Sequence, residues 1–249
     1  MYKIETHLHT KLVSLCGWMS PETIISGYKE RGYAAVTVTD HFHRGWLGTA
    51  GITLGQGIDV AAEFLRGYDA VNEAGEKAGI KVYYGAELRF DENDNDYLLL
   101  GYEKELLNNT DAILSMGIGK FSKIVKQAGA LIIQAHPCRT GKNACFPVDP
   151  SFLDGVEVFN MNMRQNNNND EALAFAKKNN LIMMAGSDCH RLEDIGISGI
   201  LSDTLPKDSF SYAKLIRSGK FTLIGEKLQH EEQVEKAVLN PVQNLHCLG

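Results

Sequence analysis

No apolar run in this 249-residue chain approaches the roughly 18 residues that a membrane-spanning helix needs, so no spanning segment is expected. A secretory signal is not expected either, because Glu5 and then His7 interrupt the start before an apolar stretch develops. The expected location is cytoplasmic. Basic residues are outnumbered, 25 Lys and Arg against 31 Asp and Glu, for a formal charge of −6. A stable nucleic-acid complex, which draws its affinity from phosphate neutralisation, is therefore not expected. An anionic small molecule is not excluded, since bound metal ions bring local positive charge to an acidic chain. Cysteine is sparse as well: the 5 residues, at positions 16, 138, 145, 189 and 247, are odd in number with no paired spacing, which argues against a disulfide framework. Neither an internal repeat nor a second domain is visible.

What is present is an ordinary globular composition, 44% hydrophobic and 22% charged, over a length that a β/α barrel uses as one unit. Ser20-Pro21-Glu22 offers an N-cap, a proline at the first helical position and an early acid, which predicts a helix from Pro21 to about Arg31, stopped at Gly32. Further helices are expected over Asp59–Lys77, Phe121–Gln127, Asp170–Asn179 and Pro206–Arg217. Strands are expected at the start of the chain and over Ala34–Thr39, Ile80–Leu88, Asp96–Tyr102, Ala130–Ala135, Gly155–Asn160, Leu181–Ala185 and Phe221–Ile224. Strands alternating with helices predict a mainly parallel sheet with functional residues at its carboxyl ends. Phe42–Gly57 reads as a long loop over the mouth, and Met161–Asn169 as a polar loop. The barrel domain is assigned to residues 1–225, followed by a helical tail over 226–249.

The chemistry sits where the strands end. His7-Leu8-His9 places two imidazoles on one side of an extended strand, about 6.6–6.8 Å apart at Cα, close enough to converge on one ion. Asp40-His41, Glu87, His136 and Asp188-Cys189-His190 close four later strands in turn. A glutamate has two oxygens and can bridge two metals, which one neutral imidazole cannot. Each motif alone has a plain alternative: capped or surface histidines for His7 and His9, a capping aspartate at Asp40, a strand-end surface charge at Glu87, a satisfied core histidine at His136. Five such accidents in sequence order are far less economical than a ring of ligands at the mouth of a β/α barrel.

The ordered set His-x-His, Thr-Asp-His, Gly-x-Glu, Ala-His-Pro and Gly-Ser-Asp-x-His, from about residue 4 to about residue 196, resembles the PHP family of polymerases and histidinol phosphatases. The resemblance implies an α/β fold, a single-domain distorted (β/α)7 barrel with two or three divalent transition metals (Zn, Mn or Fe) at the strand ends. It implies that His7, His9, Glu87 and Asp188 hold one metal, that Glu87 and His136 contribute to a second, and that His41 and His190 contribute to a third. Asp40 matches an aspartate that orients a ligand or contacts a metal, and Arg139 is placed to bind a phosphate oxygen. Two positions depart from the pattern: Asp96 stands where many relatives have a histidine of the second site, and Cys16 fills an aspartate slot before Ser20-Pro21-Glu22. Cys16 is expected beside His41 and His190, where a thiolate would favour zinc over manganese; its alternative is a small buried hydrophobe.

The expected function is a metal-dependent phosphoric ester hydrolase acting on a small phosphorylated substrate through attack of a metal-bound hydroxide. His43 and His190 are candidates for protonating the leaving group, His43 having the alternative of a surface residue on the mouth loop. A histidinol-phosphate phosphatase and a non-catalytic, metal-stabilised binding or regulatory domain are the competing readings, and a homo-oligomer is compatible with all of them.

Overall fold

The computed structural model describes residues 1–225; the expected tail helix lies outside the described residues. In chain order the elements are β1 (Tyr2–Leu8), α1 (Pro21–Glu30), β2 (Tyr33–Val38), β3 (His41–Phe42), α2 (Arg44–Thr49), α3 (Val60–Ala78), β4 (Lys81–Arg89), β5 (Asp96–Leu100), α4 (Thr110–Gln127), β6 (Leu131–Gln134), β7 (Gly155–Asn160), α5 (Asn169–Asn179), β8 (Ile182–Gly186), β9 (Gly199–Ser202), α6 (Ser209–Ser218) and β10 (Thr222–Ile224). The sheet runs β10-β9-β1-β2-β4-β5-β6-β7-β8, with β3 attached to β4. A parallel bridge between Leu8 and Cys189, just beyond β8, brings the far side back to β1, so the sheet is nearly closed into a barrel.

The helices begin and end where local chemistry dictates. Ser20 accepts from the Thr23 backbone N–H (3.2 Å) to open α1, and Asp59 accepts from Ala62 (3.0 Å) to open α3. Gly79, in the left-handed region at φ 75, closes α3. Two helices differ from expectation. The helix expected over Phe121–Gln127 starts much earlier, at Thr110, because its turns meet at Gly117 (φ 74), where the Glu92 carboxylate accepts from the Ile118 N–H (2.9 Å) and restarts the helix. Residues 42–57 are not a continuous loop: His43 caps the short α2 by accepting from Trp46 N–H at Nδ1 (3.1 Å).

The sheet is mixed. β5 runs antiparallel to both β4 and β6, since only six residues, 90–95, separate it from β4, too few for a crossover; β9, not anticipated, is antiparallel to β1 and β10. Alternation then divides the side chains into layers. Leu99, Ile132, Val156, Val158 and Ala86 pack outward with Phe64 of α3 and Phe121 of α4. Ile4, Ala35, Tyr83, Leu98, Leu100, Leu131, Ile133 and Met184 form a second cluster with Tyr212, Ala213, Leu215 and Ile216 of α6, which fills one end of the barrel. The other end is left for polar groups. Among the described residues no helix is long and apolar enough to cross a membrane.

Candidate metal centre

Five segments deliver ligand-type side chains to the open end of the barrel. His7 lies in β1 and His9 follows it; His41 begins β3 and pairs in register with Glu87 of β4; His136 follows β6; Asp188 and His190 follow β8. His136 and Asp188 adopt positive φ (31° and 51°), a conformation that costs a non-glycine residue free energy and that the surrounding bonds must hold in place. Gly186 permits the crowding: a Cβ there would lie 2.7 Å from both Glu157 Oε1 and the Cβ of His7. Much of the cluster lines a cleft of about 590 Å³.

The donor atoms are spaced as ligands of ions. His7 Nε2 and His9 Nε2 are 3.0 Å apart, His9 Nε2 lies 3.2 Å from Asp188 Oδ1 and 3.4 Å from Glu87 Oε2, and His7 Nε2 lies 3.4 Å from Glu87 Oε1. Donors about 2.1 Å from a shared ion stand roughly 3.0–3.4 Å apart in octahedral or tetrahedral order. His7, His9 and Asp188 form one such group, and His9, His41 and His190 a second. The far ring nitrogens are already occupied. His7 Nδ1 donates to Glu157 Oε1 (2.8 Å), and His190 Nδ1 donates to the Asp188 carbonyl (2.7 Å). Ser14 Oγ donates to Asp40 Oδ1 (2.7 Å), so it accepts from His9 Nδ1 (3.3 Å). Each bond leaves the Nε2 lone pair of its imidazole facing the centre. Glu87 Oε2 and His41 Nδ1, both buried, lack a well-directed hydrogen bond although they are 2.8 Å apart. A divalent cation satisfies both, and the donor set fits metal ions.

The electrostatics agree. Burial opposes the charge on Glu87, yet His41 and His7 hold it well below the usual carboxylate range; Asp188, opposed by burial in the same way, is held low by His7 and His190. Burial, aided by His190 and His41, pushes His9 well below its ordinary value. Ionised carboxylates and neutral imidazoles are the metal-binding forms. Burial also disfavours a charged His7, but Glu157, Glu87 and Asp188 outweigh it and raise its pKa well above the ordinary value: the pocket attracts positive charge.

The remaining candidates are placed unevenly. Both oxygens of Asp40 are taken by Thr10 and Ser14, so its carboxylate supports the His9 tautomer and belongs to neither ligand group. Burial and then His41 lower His43 to about 4, which favours its neutral form, and its Nδ1 serves as the cap of α2. Arg139 is buried, donating to Asp188 Oδ2 (2.6 Å) and Asn167 Oδ1 (2.9 Å). Cys16 is exposed, which removes the buried-hydrophobe alternative; some burial opposes its ionisation, but the neighbouring His190 and His41 imidazoles lower its thiol to about 6. Asp96 is clamped by Arg89 and groups with His136 and Cys145.

Sequence reasoning missed three contributors. Glu157 orients His7 and also accepts from the His136 N–H (3.1 Å); the signal was a lone carboxylate inside the apolar Gly155–Asn160 strand. Glu5 accepts from the N–H groups of Thr6, His7 and Ser187 and from two hydroxyls, tying β1 to the segment that carries Asp188. Cys145, 3.4 Å from His136 Nδ1, lies in a loop with no motif to mark it.

Similar architectures occur in solved structures. A two-domain protein from Bacteroides vulgatus containing a predicted PHP-like metal-dependent phosphoesterase aligns with a TM-score of 0.64 at 16% identity, over 91% of this chain and 65% of that one. The chain thus spans less than two thirds of that protein. A protein from Bifidobacterium adolescentis, provisionally assigned as a metal-dependent phosphoesterase, gives 0.54 at 18% identity over 87% of this chain and 96% of its own. PsfC from Pseudomonas syringae gives 0.56 at 14% identity, over 96% and 98%. Among curated proteins, none matches in sequence. The PHP domain family matches residues 5–190, the span from Glu5 to the last imidazole of the cluster, and the chain belongs to that family.

Proposed function

We propose that this protein is a metal-dependent phosphoesterase that hydrolyses a small phosphorylated substrate. The observation that carries the reading is the convergence of His7, His9, Glu87 and Asp188, donor atoms 3.0–3.6 Å apart, with Glu87 and Asp188 reaching an open cleft and the two imidazoles buried behind them. Divalent ions such as Zn, Mn or Fe bound there lower the pKa of water from 15.7 towards about 7 and offset charge on a phosphoryl group.

The chain's own residues do the rest. Glu87 presents one oxygen towards His7 and the other towards His9 and His41, so a single carboxylate serves both ligand groups. Arg139 holds Asp188 with one arm of its guanidinium and, lining the cleft, offers its remaining N–H groups to a nonbridging phosphate oxygen. Cys16 and His190 stand together at the same wall, where His190, its Nδ1 held by the Asp188 carbonyl, presents Nε2 as a ligand. Asp40 and Glu157 keep the imidazoles in the ligating tautomer. A cleft of about 590 Å³ admits a small phosphoester rather than a folded macromolecule.

The test is turnover of a panel of phosphomonoesters and phosphodiesters by the metal-loaded protein. Activity lost on chelation and regained with one defined divalent metal is the expected result. A folded protein that binds less than about one ion per chain under metal-replete conditions removes the reading.

A further inference from the structure

Glu87 and Arg89 are i and i+2 on β4 and therefore share a face, and Arg89 is the cross-strand partner of Asp96 on β5. The guanidinium meets that carboxylate in a bidentate fork, Nε to Oδ1 at 2.8 Å and Nη2 to Oδ2 at 2.6 Å. Asp96 is 2% exposed at its side chain and Arg89 29%. Beyond the fork lie the other acceptors of this corner: Asp96 Oδ2 is 3.9 Å from His136 Nε2, which is 3.0 Å from Glu87 Oε1. Two carboxylates and an imidazole, with the Cys145 thiol 3.4 Å from the other ring nitrogen of His136, therefore converge as they would on a cation, and a cation built into the strand is already there.

We infer that the Arg89 guanidinium is the resident cation of the Glu87–Asp96–His136 corner, so that among the described residues metal ions are taken only at the His7–His9–Asp188 and His9–His41–His190 groups. The inference rests on the metal-dependent reading above and sharpens it. A metal at this corner would have to share the Asp96 oxygens with Arg89, and would sit within a few ångströms of a fixed positive charge, where like charges repel strongly in a buried site. Arg89 cannot relieve that by losing its proton, because a guanidinium stays charged in proteins. Nor is the fork a loose surface pair: it spans an antiparallel ladder whose register is set on both sides, Asp96 to Arg89 and Tyr97 to Gln134. Arg89 also lines the cleft, so its N–H groups outside the fork supply, to a substrate phosphoryl oxygen, the charge that an ion would otherwise provide.

Elemental analysis of metal-replete, gel-filtered protein tests this without any assay of activity. About two ions per chain are expected in the native protein, unchanged in Asp96→Asn, and about three in Arg89→Met, which keeps the stem and frees the acceptors. Three ions natively that fall to two in Asp96→Asn, or two that fall to one, make Asp96 a ligand and overturn the inference while leaving the hydrolase reading intact. A folded Arg89→Met protein that gains no ion also overturns it. A native protein without bound metal overturns both readings. Circular dichroism of each variant confirms that the folded chain is being counted.

Discussion

Along one face of β4 the residues run Tyr83, Gly85, Glu87, Arg89, and along the antiparallel β5 the matching face runs Leu100, Leu98, Asp96. At the Tyr83 and Leu100 end this face is apolar, closed by α6, and Tyr83 stacks on Tyr212 with ring centroids 4.7 Å apart. A few residues further along the same strands, the face holds buried carboxylates, imidazoles and an arginine. The strands and their alternation are the same at both ends; what differs is the origin of the cohesion. The apolar end holds together by its own burial and dispersion contacts. The polar end holds mutually repelling groups in place through directed bonds from outside the ligand set, from Glu157, Ser14 and the backbone of Asp188, and its donor groups are spaced to hold cations. Substitutions at the two ends should therefore report on different quantities.

The largest effect is expected at the polar end. Asp188→Asn keeps an acceptor for Arg139 but removes a ligand charge, and phosphoesterase turnover should fall on the order of 10³-fold, beyond the roughly 10–100-fold cost of losing a supporting partner. The thermal midpoint of the metal-free protein should move by only a few degrees; turnover within tenfold of native would break the division between the ends. At the apolar end, Leu100→Ala should cost about 2–5 kcal/mol in denaturant unfolding while turnover per folded molecule stays within about twofold. A folded Leu100→Ala protein that had lost its metal would show the two ends to be coupled.

Glu157→Gln sharpens the contrast, because it touches His7 without belonging to the ligand set. Metal affinity should weaken by about 10–100-fold, measured by competition with a chromophoric chelator, with little change in fold. Unchanged affinity would mean that the His7 tautomer is held by something else. The smallest effect is expected away from both ends, at the cap of α1: Ser20→Ala should lose about 1 kcal/mol of stability and leave metal content alone.

Much of this architecture could be read from residue pattern, and the failures have identifiable causes. The caps at Ser20 and Asp59 and the stop at Gly79 act within a few residues of themselves, so α1 and α3 fall where the sequence places them. α4 extends well beyond its expected start because the Glu92 carboxylate, remote in sequence, repairs the break at Gly117. The antiparallel β5 and the strand β9 follow from connection length and from pairing with distant partners, neither of which leaves a local periodicity.

The same distinction runs through the site. The residue types and their order, His7 and His9, His41, Glu87, His136, Asp188 and His190, are determined by the sequence alone, because each motif sits at the end of a strand whose apolar run is local information. Only the tertiary structure decided which of their neighbours aim at the centre and which are spoken for. Asp40 turns to Thr10 and Ser14, His43 caps α2, Asp96 meets Arg89, and Glu157 and Cys145 arrive from segments that no motif marks. The reason is geometric: a side chain's type is written at its own position, but its hydrogen-bond partner is set by the closure of a barrel that joins residues more than 100 positions apart, as it joins His7 to Glu157.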